Sequence, residues 1–129
     1  MSIEEMEKYG VIDYYLELKK YINLFLERNY PLTEEDMKAI VNDKETENIK
    51  TRNEVKKILT ASLMISLEEQ MNKNKIWLKE LEKNPNLSPM TEDEEQKIIF
   101  NIKQQMLSTL WEYKQHKIKE MDINIHKTL

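Results

Sequence analysis

Residues 58–67 read ILTASLMISL: seven apolar residues and no charge, with Lys56 and Lys57 on one side and Glu68 and Glu69 on the other. In a chain that is 34% charged, this uncharged run decides the fold class. Ten helical residues rise about 15 Å, half of a roughly 30 Å hydrocarbon core, so the run is too short to span a bilayer. Its apolar positions continue both ways at helical spacing. Val55, Leu59, Leu63, Leu67, Met71, Leu78 and Leu81 make one stripe, and Ile58, Ser62, Ile65 and Ile76 a second beside it. The pattern predicts a helix over about 51–83, opened by the capping-box spacing of Thr51-Arg52-Asn53-Glu54. A helix covered from one side needs an apolar face only about 100° wide. This one is wider and calls for neighbours on two or three sides. Ala61, Ser62 and Ser66 are small enough for close helix approach, which marks them as an oligomer contact of an expected homodimer.

Working outward, Asn84-Pro85-Asn86-Leu87-Ser88-Pro89 is a short connection to a helix over about 89–121. Pro89 suits a first helical position, and Glu92 to Glu95 complement the positive helix end. A short loop between two long helices makes them an antiparallel hairpin. Asn72-Lys73-Asn74-Lys75 is a place where the longer partner bends or frays. Before it, Ser2-Ile3-Glu4-Glu5 opens a helix over about 2–29. Gly10 costs roughly 1 kcal/mol inside a helix, so the helix kinks there or restarts near Ile12. Tyr30-Pro31 stops it. A short helix over about 33–42 follows, capped by Thr33 and stapled by Leu32 onto Met37, and residues 43–50 read as a loop.

The expectation is an all-α single domain over residues 1–129: three long helices and one short one in a small bundle. One glycine and three prolines are too few turn residues for an all-β fold. A chain of this length buries roughly two-thirds of its unfolded surface, enough for a core without staples. The absence of cysteine excludes disulfides, thiolate metal sites and cysteine nucleophiles. The charged first twenty residues are neither a signal peptide nor an anchor, so the reading is a soluble, cytoplasmic protein with no membrane association. Heavy use of Lys, Asn, Ile and Glu points to an AT-rich genome.

Chemical motifs are missing. Neither Arg28 nor Arg52 has a histidine four to six residues on, as helical ribonucleases require. Glu-x-x-Asp, a magnesium motif of all-α pyrophosphohydrolases, does not occur, nor does the Glu-x-x-His of di-iron bundles. There is no phosphate or calcium loop. Glu112, His116 and Glu120 share a helix face at zinc-ligand spacing, but Gln115, Lys117 and Lys119 around them make a solvated face the expected reading. His126 adds little. No enzyme activity, cofactor or metal is expected.

Charge is uneven. Residues 1–49 hold 12 acids and 6 bases, residues 50–84 hold 5 and 8, and residues 85–129 hold 7 and 6. The mildly basic middle contains Thr51-Arg52-Asn53-Glu54, which resembles the Ser/Thr-Arg-x-Glu opening of the second helix of ribbon-helix-helix repressors. That resemblance covers about a third of the chain. It implies a strand at Tyr21–Arg28 and a DNA-binding regulator centred on residues 21–67. The sequence departs from the pattern in lacking a glycine in the interhelix turn and in its helical spacing where the strand should be. The net charge of −4 repels phosphate and argues against nucleic acid as a partner.

The leading expectation is a non-enzymatic protein–protein interaction module: an inhibitor, immunity or regulatory protein of a phage, plasmid or bacterial genomic island. Its expected partner-binding residues are Phe100, Leu107, Trp111 and Ile118, on the second apolar face of the last helix, with Tyr14 and Tyr21. Trp111 leads because aromatics dominate interface energetics.

Overall fold

The structure is a computed structural model and describes the backbone of residues 1–128 and the side chains of residues 1–123. It is helical for 82% of the chain, with no strand among the described residues. Among the described residues five helices follow one another: α1 (Ile3–Lys8), α2 (Ile12–Asn29), α3 (Glu34–Val41), α4 (Glu47–Lys83) and α5 (Glu92–Thr128). The segment Tyr21–Arg28, the strand of the repressor resemblance, lies inside α2.

Gly10 divides the first expected helix in two. Its φ of +72° is left-handed, and around it the Val11 N–H donates to the Met6 carbonyl at 2.9 Å and the Gly10 N–H to the Glu7 carbonyl at 3.3 Å. This is the Schellman arrangement, completed by the burial of Met6 and Val11 together in the core. A Cβ at Gly10 would meet only Asn74 Nδ2, at an ordinary 3.6 Å. Gly10→Ala is therefore expected to cost about 1–2 kcal/mol from left-handed backbone strain alone. Urea unfolding checks this, and unchanged stability would exclude a left-handed residue at the turn.

Local hydrogen bonds set most other boundaries. The Ser2 hydroxyl caps α1 by accepting from the Glu5 N–H at 3.1 Å. α5 starts at Glu92 and not at Pro89, because Thr91 and Glu94 form a reciprocal capping box there that leaves Pro89 in the connection. α4 starts earlier than its sequence suggests. Thr46, not Thr51, is its N-cap, accepting from the Ile49 N–H at 3.2 Å, so Glu47–Lys50 are helical rather than loop. α5 continues past Met121 to Thr128, with no glycine or proline to stop it. The His126 side chain lies outside the described residues. Nor does α4 break at Asn72–Lys75. Asn74 is held on both sides, accepting from Gln70 Nε2 at 3.0 Å and donating to the Tyr9 carbonyl at 2.7 Å.

The core forms where α2, α4 and α5 meet. Each contributes a row at three- and four-residue steps: Tyr14, Leu18, Ile22 and Leu26; Val55, Leu59, Leu63, Leu67 and Met71; Ile99, Ile102, Met106 and Leu110. α4 packs against both other long helices, whereas α2 and α5 touch less. Glu54 reaches Tyr113 and Lys117, while Ser62, farther along α4, meets Thr109, so α5 runs back along α4. Tyr21 lies beneath Lys103 and Tyr30 beneath Lys114, so α2 and α5 advance in the same direction. No helix among the described residues is long and apolar enough to cross a membrane.

The opening stretch is now placed. Leu59, Ser62, Leu63 and Leu67 face inward, while Ala61 and Ile65 remain exposed, Ile65 at 61%.

Candidate functional site

α5 has two apolar faces and buries one. Ile99, Ile102, Met106 and Leu110 enter the core. Phe100, Leu107, Trp111 and Ile118, at seven- and four-residue steps, form the adjoining stripe. Leu107 is half-buried, and Phe100, Trp111 and Ile118 are exposed, Trp111 at 62%. Met121 extends the exposed row. On the α2 side the stripe is edged by Lys103 and Lys114, whose ammonium groups lie 4.9 and 5.6 Å from the ring centres of Tyr21 and Tyr30. Cation–π contacts thus bridge α2 and α5 here and leave the stripe uncovered.

The two tyrosines expected beside this stripe separate. Tyr21 is half-buried under Lys103. Tyr14 belongs to the core, its hydroxyl 3.8 Å from the Met90 thioether. Burial, then the nearby Glu95 and Asp13 carboxylates, raises the Tyr14 pKa above its ordinary value.

Ala61, Ser62 and Ser66 share an open groove of about 670 Å³ between α4 and α5, with Ile58, Ile65 and Ile98 among its walls. Ser62 is buried with its hydroxyl 3.4 Å from that of Thr109, Ser66 is half-buried and Ala61 is exposed. Beyond the groove, Glu54 accepts from the Tyr113 hydroxyl at 3.0 Å and from Lys117 at 2.9 Å. Lys117, then Tyr113, lowers the Glu54 pKa, and the same cluster raises that of Lys117. The cluster joins the two helices.

His116 pairs with Glu120 at 3.1 Å on a solvated face, and no group of three side chains able to hold a metal occurs among the described residues.

Sequence reasoning missed a feature at α3. This helix buries a charge and exposes its apolar side chains. Asp36 is 2% exposed, while Met37, Ile40 and Val41 face out, Val41 at 85%. The expected staple of Leu32 onto Met37 leaves Met37 57% exposed. Asp36 is held by four hydrogen bonds, three accepted by its carboxylate and one donated by its N–H. Its Oδ2 accepts from the Thr33 N–H at 2.8 Å and from Asn48 Nδ2 at 2.7 Å, and its Oδ1 accepts from the Thr46 hydroxyl. The Asp36 N–H donates back to Thr33 Oγ1 at 3.1 Å. These bonds, the Thr33 backbone first, hold the Asp36 carboxyl well below the usual carboxylate range. At the other end, Lys44 N–H donates to the Ala39 carbonyl at 2.7 Å around Asp43, at φ +54°. The Thr33/Asp36 spacing was readable as a capping box; the partners Thr46 and Asn48 had no sequence signal.

No family model, curated protein or solved structure matches the chain.

Proposed function

We propose that this helical bundle is a non-enzymatic protein–protein interaction module of the cytoplasm, acting as an inhibitor, immunity factor or regulator of the kind carried by phages, plasmids and genomic islands. The reading is carried by one observation: α5 holds a second apolar row, Phe100, Leu107, Trp111 and Ile118, outside the core. Leaving an indole in water forgoes the burial energy that a folded chain normally recovers, and a partner recovers it. The α4–α5 hairpin gives the row a rigid backing.

The test is affinity capture from the native host with the wild type and with Trp111→Ser. A specific protein retained by the wild type and depleted at least tenfold by the variant is the expected result, since about 2 kcal/mol or more is usual for a central aromatic. Both proteins should melt alike as dilute monomers, because Trp111 is exposed within the chain. Capture indifferent to Trp111 would end this reading of the stripe. In a parallel arm, no shift of duplex DNA is expected at ~150 mM salt. A sequence-selective shift abolished by Arg52→Ala would move the assignment to a DNA-binding regulator.

A further inference from the structure

We infer that a second copy of this chain occupies the α5 stripe, docking through α3. The inference rests on the interaction reading and names its partner. An amphipathic helix ordinarily turns its apolar side to the core. α3 is mounted the other way round, because its one buried residue is Asp36 and the bonds from Thr33, Thr46 and Asn48 fix it there. Met37, Ile40 and Val41, at i, i+3 and i+4, are left as outward anchors, the pattern that fills a groove in helix recognition.

The charges around the two surfaces are opposite. Around α3, Glu34, Glu35, Asp43, Glu45 and Glu47 outweigh Lys38 and Lys44. The α5 stripe is edged by Lys103 and Lys114, with Arg28 in the last turn of α2. An acid-edged apolar helix and a base-edged apolar row therefore exist on the same chain, and within that chain α3 leaves Trp111 exposed. The position of Lys114 over Tyr30 puts the end of α2, from which α3 departs, beside the Trp111 half of the stripe. With both surfaces at one end, a two-fold axis there lets each copy give its α3 and receive the other's, so the assembly closes as a dimer.

Light scattering at ~100 μM should give twice the 15.6 kDa chain mass. Glu34→Lys with Glu35→Lys should yield monomers, as should Lys103→Glu with Lys114→Glu, each still helical by circular dichroism even where the loss of the Lys103 and Lys114 contacts lowers Tm. The quadruple variant, with both edges reversed, should dimerise again; a merely structural role for these residues would not produce that rescue. Ser66→Arg, in the α4–α5 groove, should leave the dimer intact. A monomeric wild type overturns the inference, as does a dimer indifferent to both charge reversals or one lost only in Ser66→Arg. A monomer that still captures a host protein through Trp111 would leave the interaction module standing with a foreign partner.

Discussion

Leu63→Ala is expected to cost about 3 kcal/mol of stability and to lower Tm by roughly 10 °C, whereas Ile65→Ala, two residues on, should change stability by less than ~0.5 kcal/mol. The two residues share the same uncharged stretch and the same helix. Leu63 is 1% exposed, within the row that α2 and α5 cover, and truncating it opens a cavity in packed surroundings. Ile65 projects to solvent beside the α4–α5 groove and loses little by truncation. Urea unfolding followed by circular dichroism separates them. Equal losses at both positions in dilute monomer would mean that the buried side of α4 is not the one described.

Asp36→Ala should be comparably damaging, with a fall in Tm on the order of 10 °C. Removing the carboxylate takes the acceptor from the Thr33 N–H and the Thr46 hydroxyl and leaves the Asn48 amide only the Pro31 carbonyl, and so unpins both α3 and the start of α4. Asp36→Asn should be poorly tolerated too, since its amide would bring a donor where donors already converge. The pH dependence follows from the direction of the shift. The folded pKa lies below the ordinary 3.8, so the carboxylate's contribution is complete above that value. It declines as pH falls from about 4 toward the depressed folded value. The wild type should lose Tm on acidification over this range more steeply than Asp36→Ala, which has no carboxyl there to protonate. Parallel acid limbs would show that Asp36 is not held as a bonded carboxylate.

Much of the fold was legible because helix signals are local. Ser2 and Thr33 cap through bonds spanning three residues, and Gly10 needs only its own backbone to turn left-handed. The start of α4 was misplaced: the capping-box spacing at Thr51 pointed to a cap there and left Thr46 in a loop, although both are hydroxyls ahead of helical sequence. The choice falls to Thr46, whose hydroxyl reaches Asp36, a residue ten positions earlier that only folding brings near. Asn74 is similar: a polar residue that reads as a weak point in α4 becomes a fastening through Tyr9, 65 residues away in sequence.

From the residues alone came an all-α chain with its long helices, the apolar rows that could make a core, and the absence of recognisable catalytic motifs. These depend on spacing and on side-chain chemistry, and both are written along the chain. Which row is core and which is surface was decided only in three dimensions. Ile99–Leu110 and Phe100–Ile118 are comparable apolar rows on α5, and the position of α4 beside the first leaves the second outside. For α3, periodicity marks an apolar side, but its direction is set by the long-range bonds to Asp36. A helix's own sequence defines its faces; the neighbours that cover them are chosen by contacts with residues far along the chain.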